Sequence, residues 1–227
     1  VNQAETYFPF HRFNLRQNPF GTLSEQDWLR VTVLPAALET ALADGFQHLQ
    51  ILGQRGRGKS TALHYLVHYF RYHGQATAYE RLPRLQWWFQ TELTTLDVFA
   101  LDEMQRIAPW QAARLFQAMR GKRLIVGSHV DHRLAFWLRG WDVTTIRLNQ
   151  QANRDRLARI LAQRLDAFRV DETKPAALWF TPAAVDWLWA TYKSDLRSMN
   201  FFLYDVFQKV TTPGPVTVTL LNRNASS

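Results

Sequence analysis

The sequence predicts an α/β fold: a parallel sheet of five strands covered by helices, followed by a smaller all-helical part. Two observations carry this. From Phe46 to Leu148, short apolar runs of strand length alternate with stretches of helical periodicity, the pattern of strands joined by crossover helices. Beyond about residue 150 only helical stripes remain. The expected organisation is an arm over 1–23, a core over 24–149, a helical part over 150–212 and a tail over 213–227.

The arm is rich in Phe, Pro and Asn, has no regular period, and turns at Asn18-Pro19 and Phe20-Gly21. Ser24 reads as the N-cap of a helix running to about Asp44, with Glu25 and Asp27 at its positive end and Gly45 closing it. Phe46 to Leu52 alternates and stops at Gly53, as a strand does before a loop. Leu63, Leu66, Val67 and Phe70 then form one buried helical face, ended by Gly74. Gln75–Glu80 is expected as the second strand. The run Leu96 to Leu101 is apolar on both faces, as in a buried parallel strand. Ala112, Leu115, Phe116 and Met119 mark the next helix; Arg123–Ser128 and Val143–Leu148 are the fourth and fifth strands.

Three helical stripes follow: Leu157, Ile160, Leu161 and Leu165; Val185, Leu188, Trp189 and Tyr192; Leu196, Met199, Leu203 and Phe207. They suffice for a small bundle. The segment from Thr211 onward combines turn formers with Val-Thr alternation and reads as a terminal strand or a loose tail.

The chain has 227 residues, 47% hydrophobic and 20% charged, with no cysteine. Disulfide frameworks, Cys-ligated zinc, iron–sulfur clusters and thiol nucleophiles are thereby excluded. No apolar run is long enough to span a bilayer and no signal-peptide core is visible at the amino end, so a cytoplasmic location is expected. The chain opens on Val1, which leaves room for a segment upstream. A formal charge of +8 points to a polyanionic partner such as nucleic acid or a nucleotide; solubility alone is the plainer account.

The strongest signal is Gly53-Gln54-Arg55-Gly56-Arg57-Gly58-Lys59-Ser60, with Thr61 next. It fits G-x-x-x-x-G-K-[ST], and a strand precedes it and an amphipathic helix follows, as the chemistry requires. Glycines let the backbone wrap so that successive N–H groups face a phosphate. Lys59 is expected against the β- and γ-phosphates of ATP, and the Ser60 hydroxyl on Mg²⁺. The loop arginines, Arg55 and Arg57, either add charge near the phosphates or face outward.

The buried strand Val98-Phe99-Ala100-Leu101 ends in Asp102-Glu103. A carboxylate at a strand's carboxyl end beside a phosphate loop serves the Mg²⁺ shell, and the next polarises water for attack. Asp102 is accordingly the second metal residue and Glu103 the base. The fourth strand ends Gly127-Ser128-His129, with Ser128 the candidate to touch the attacking water or the γ-phosphate and His129 the alternative. Ser194 is expected to cap the third helix of the carboxy-terminal part, leaving Arg197 in its first turn, where a helix dipole disfavours a cation. A γ-phosphate, Asp195 or Glu172 are the candidate compensating anions.

Together these residues resemble the AAA+ ATPases, over roughly residues 18–210. The resemblance implies strand order 5-1-4-3-2, ATP held between the core and a helical lid, a sensor-like Ser128 and a lid arginine at Arg197. The arm Asn18-Pro19-Phe20 followed by a helix and the loop is similar to the ExeA and TnsC type. The segment Leu134–Leu148 is similar to the stretch before the fifth strand in DnaA-like initiators, where an arginine acts in trans on the next subunit. That implies Arg139, with Arg133 in reserve, and a homo-oligomer built through the nucleotide interface. A protein partner and DNA are implied as further partners, although no long insertion with DNA-reading residues is present. A slow switch without DNA is the rival reading.

Two features have plainer readings. His64 and His68 stand at metal-ligand spacing, but no Glu follows as in a metalloprotease helix, and tyrosines line the same stretch. Trp87-Trp88-Phe89, after Arg81 and Arg84, either meets a partner or belongs to a helix packed between the second and third strands.

Overall fold

A computed structural model describes residues 9–148, 153–193 and 195–225. The chain divides into two compact units, one containing residues 34–148 and the other 9–33 with 153–225.

The first unit is the sheet. Its strands are β1 (His48–Leu52), β2 (Thr77–Arg81), β3 (Val98–Asp102), β4 (Arg123–Ser128) and β5 (Thr144–Arg147). They lie in the order β2-β3-β4-β1-β5, all parallel, which is the expected 5-1-4-3-2. Period-2 alternation sorts the side chains. Val98, Ala100, Ile125, Leu49 and Ile51 join one core cluster, with Leu38 of α2 (Ala36–Asp44) and Leu63, Leu66 and Phe70 of α3 (Lys59–Tyr72). Phe99, Leu101, Leu124 and Val126 face the other, with Leu115 and Phe116 of α4 (Pro109–Ala118) and Phe136 of α5 (Arg133–Trp137).

The expected helix over Ser24–Asp44 is in fact two. α1 (Glu25–Val31) ends before Pro35, and α2 starts just after it. Proline supplies no N–H to a helix interior and drives the preceding residue to extended backbone, so one continuous helix cannot pass that point. The cap itself is as expected: Ser24 accepts from the Asp27 amide while the Asp27 carboxylate accepts from the Ser24 amide.

No helix joins β2 to β3. The crossover is an irregular loop anchored by two apolar side chains, Phe89 and Leu93, both buried against Phe99 and its neighbours. The Glu80 carboxylate accepts from the Gln90 and Thr91 amides at 2.8 and 2.9 Å, supplying the backbone partners a helix would have given.

The second unit holds α1 with α6 (Arg154–Ala167), α7 (Pro182–Tyr192), α8 (Leu196–Lys209) and α9 (Val218–Ala225). The expected stripes supply its core: Leu157, Leu161, Leu165, Val185, Leu188, Met199, Leu203 and Phe207 are buried. Two short strands, β6 (Leu178–Phe180) and β7 (Gly214–Val216), pair in parallel, so this part is not purely helical. The Val-Thr alternation of the tail does not make a strand of its own: β7 ends at Val216, Thr217 accepts from the Leu220 amide, and α9 follows with Leu221 buried. Ser194, the expected cap of α8, lies outside the described residues. Asp195 is the N-cap and accepts from the Ser198 amide at 3.2 Å.

The arm packs into this second core through Phe13, Leu15 and Phe20. Asn18 donates to the Tyr204 carbonyl and accepts from the Phe20 amide, both at 3.0 Å. The Pro19 carbonyl takes a 2.6 Å bond from Arg164, whose burial lowers its guanidinium to about 10. Asn18-Pro19-Phe20 is therefore a folded corner rather than a linker. No helix among the described residues is long and apolar enough to cross a membrane.

Candidate nucleotide site

The loop after β1 turns through Gly56 and Gly58, at φ 82° and 87°, a region closed to ordinary side chains. It delivers Lys59 and Ser60 as the first residues of α3, so free helix N–H groups and the loop amides gather at one point. Lys59 is buried, and its ammonium donates to two carbonyls of its own loop, Gly53 at 2.7 Å and Gln54 at 3.2 Å. Burial lowers the Lys59 pKa, with Asp102 and Glu103 pulling the other way. Arg55 is exposed, and Arg57 donates to the Gln54 side chain at 3.4 Å.

Ser60 Oγ donates to Asp102 Oδ2 at 2.6 Å. The same oxygen accepts from the Tyr79 hydroxyl at 3.3 Å, while Oδ1 accepts from the Glu103 amide at 2.9 Å. Burial and the neighbouring Asp102 raise the Tyr79 phenol, so it stays a donor. A hydroxyl and a carboxylate oxygen in contact, with no sulfur or imidazole between them, form a hard-oxygen donor pair of the kind Mg²⁺ takes. That chemistry fits the expected roles of Ser60 and Asp102. Gly127 of β4 stands against this pair; a Cβ there would come within 2.6 Å of Asp102 Oδ1 and 2.7 Å of Leu63.

Glu103 is buried, and its backbone sits at φ 64°, left-handed for a residue with a side chain. That conformation costs about 1–2 kcal/mol, so contacts must hold it. They do: Arg106 pairs with Oε2 at 2.9 Å, Gln105 donates to it at 2.7 Å, and His129 lies 3.6 Å from Oε1. Burial alone raises the Glu103 carboxyl. The Gln105 amide, Arg106, His129 and Lys59 outweigh it and hold the group below the ordinary carboxylate range. The Glu103 carboxylate is ionised and its direction is fixed by its neighbours.

Ser128 is fully buried at the end of β4. Its hydroxyl donates to Gln105 Oε1 at 3.0 Å and shares a 2.8 Å bond with His132 Nε2. Gln105 thus bridges Ser128 to Glu103, and His129 reaches the same glutamate directly. Gln105, Arg106 and Tyr79 went unrecognised in the sequence. Gln105 and Arg106 lie in the 3-10 turn that follows Glu103, a turn with no sequence period to announce it.

The structure brings together Gly53–Thr61, Asp102, Glu103, Ser128 and His129. Arg139 is exposed, its guanidinium 4.1 Å from the Phe116 ring centroid and bonded to the Ala135 carbonyl at 2.7 Å. Arg133 pairs with Asp131 at 2.9 Å. Arg197 is an exposed first-turn residue of α8 in the other unit. Glu172, one of its candidate anions, pairs with Arg30 at 3.1 Å. His64 packs on Tyr79 at 4.1 Å, and among the described residues no group of His, Asp or Glu is placed to hold a metal by itself.

No family model matches the sequence, and no curated protein matches it. Solved structures do match. The RuvB Holliday junction branch migration motor of Thermotoga maritima superposes with TM-score 0.60 at 17% identity, covering 84% of this chain and 65% of RuvB. A replication initiator DnaA bound to AMPPCP and single-stranded DNA gives 0.57 at 13% identity, over 91% of this chain and 70% of that one. Domain III of T. maritima DnaA gives 0.54 at 15% identity, covering 93% and 97%. The chain thus spans just under two thirds of RuvB and nearly all of that DnaA domain. At such identities the likeness is one of fold: the chain has the AAA+ P-loop domain fold of RuvB and DnaA.

Proposed function

We propose that this protein is a Mg-ATP-dependent ATPase that assembles through its nucleotide interface and passes the resulting change to a partner. The reading rests on one observation: Lys59, Ser60, Asp102 and Glu103 converge at the carboxyl ends of β1 and β3, where a glycine loop turns into the start of α3. In it, the loop from Gly53 to Thr61 holds the phosphates, and Lys59 exchanges its loop carbonyls for phosphate oxygens. Ser60 and Asp102 hold Mg²⁺, which neutralises phosphate charge when bound. Glu103 takes a proton from the attacking water, and Ser128, through Gln105, fixes the glutamate's direction.

Arg197 as the lid residue that meets the γ-phosphate, and Arg139 as the residue acting on a neighbouring subunit, complete the proposal. For the latter, Arg139 must leave Phe116, a release costing about 0.5–1 kcal/mol. The nucleotide and DNA named for the DnaA structure, together with the +8 charge, support DNA as one partner, in the manner of a transposition-type regulator. A cytoplasmic location accompanies this reading.

A second reading is a slow switch in which ATP mainly fixes conformation. The clamp of Arg106 and Gln105 on Glu103, with His129 close by, favours it, because a base held by two donors is restrained from taking a proton. Steady-state phosphate release separates the two. Glu103→Gln should retain ATP binding and lose turnover by about 10²–10⁴-fold; turnover equal to wild type would remove Glu103 as base.

A further inference from the structure

The irregular crossover between β2 and β3 leaves an aromatic surface that the nucleotide chemistry does not use. Trp87 is 58% exposed, Trp88 42%, and Trp110, at the head of α4, 65%. The Ala108 amide donates to the Trp87 carbonyl at 2.8 Å, which fastens the Trp87 backbone to the start of α4, two residues before Trp110. Among the described residues no ring or guanidinium stacks on any of the three. Aromatic side chains left this open on a folded domain mark an interaction site.

The charges around them are selective. Arg84, three residues before Trp87, is exposed, and Arg114, one helical turn beyond Trp110, lies exposed over Phe89 at 5.4 Å. Acids of the same loop keep their charge while holding the backbone: Glu80 accepts from the amides of Gln90 and Thr91, and Glu92 lies near Arg114. Free π-faces set among guanidiniums match a ligand with flat apolar faces on an anionic backbone. A duplex already stacks its bases on one another and presents only their edges; unpaired bases present their faces.

We propose that Trp87, Trp88 and Trp110, with Arg84 and Arg114, bind single-stranded nucleic acid, the bases stacking on the indoles and the phosphates meeting the guanidiniums. The root of the loop is tied to the catalytic glutamate. Arg106 donates to the Leu82 carbonyl at 2.7 Å with one nitrogen and holds Glu103 at 2.9 Å with another. A strand drawn onto the loop therefore shifts the clamp on Glu103. This coupling rests on the ATPase reading; the binding does not.

The test is a titration of the full chain with a labelled oligothymidylate of about 20 nucleotides, the same length of duplex, and heparin, read by anisotropy and tryptophan emission. The oligonucleotide should bind at least tenfold tighter than the duplex, quench the indoles, and lose affinity steeply between about 50 and 200 mM salt. Trp87→Ala and Trp110→Ala should each weaken it by about tenfold, with unchanged urea midpoints. Lys59→Ala should bind it as wild type does, and Arg106→Gln should bind it without the change in phosphate release that the strand causes in wild type. Equal affinity for duplex, or tryptophan variants that bind as wild type, would overturn the surface. So would heparin binding as tightly as the oligonucleotide with no quenching, or no oligonucleotide binding at all. ATP turnover measured in the same samples shows whether the nucleotide site survives that failure.

Discussion

Two crossovers leave the same sheet and are built on opposite plans. From β1 to β2 the chain runs through the glycine loop and α3, where the proposed phosphate contacts lie in the main chain and a regular stripe of Leu63, Leu66, Val67 and Phe70 faces the core. From β2 to β3 it runs through a loop with no helix, where two buried side chains and one carboxylate hold the backbone and the exposed tryptophans are left free. The first crossover places its chemistry in the main chain and its packing in a helix period. The second does both with individual side chains. A helix-based crossover tolerates many sequences at its surface; a loop-based one depends on particular anchors.

This difference orders the expected effects of substitution. Phe89→Ala should cost about 3–5 kcal/mol in urea unfolding, because it empties the side of the core that a helix would otherwise fill. A loss under about 1 kcal/mol would mean that the loop merely rests on the sheet.

Acid should weaken the fold at the foot of β1, the end away from the phosphate loop. His48 is buried against Trp141, and burial, with Arg123 nearby, lowers its imidazole to about 4 from an ordinary 6.5. The unfolded chain then binds the proton first, so stability is full above about pH 6.5 and is lost as the pH falls towards 4. A gap of 2.5 units at 1.36 kcal/mol each makes about 3 kcal/mol. Urea midpoints at pH 7 and pH 4.5 should show less of this loss in His48→Gln; identical pH dependence would contradict it.

Gly127→Ala tests the contact between β4 and the first crossover. Its Cβ meets Asp102 and Leu63, so a loss of about 1–3 kcal/mol is expected. Weaker Mg²⁺ dependence of ATP binding should accompany it, read by titrating Mg²⁺ against a fluorescent ATP analogue. The smallest effect is that of Arg114→Ala, which removes a guanidinium from the Phe89 ring and should cost about 0.5–1 kcal/mol; a larger loss would give the second crossover a further anchor.

The same contrast explains what was legible in the sequence. The five strands, the glycine loop before Lys59 and the position of Asp102-Glu103 at a strand end were readable because strand alternation, helix period and glycine placement are local rules; the order of the strands in the sheet came only from the AAA+ resemblance. Trp87-Trp88-Phe89 left two readings open because an aromatic run on a loop and one on a helix have the same composition; the helix is absent. Only the burial of Phe89 beside two exposed tryptophans separates them. Pro35 was a local signal that the long stripe before Gly45 obscured. The bridge from Ser128 through Gln105 to Glu103 joins β4 to the turn after β3, and no local rule reports such a meeting.

Capture of a triphosphate by the loop amides and Lys59 is measurable by calorimetric titration of ATP into the full chain in the presence of Mg²⁺. One saturable site per chain is expected, lost in Lys59→Ala while the urea midpoint is kept. No heat from the wild-type chain, or the same isotherm from Lys59→Ala, would contradict it.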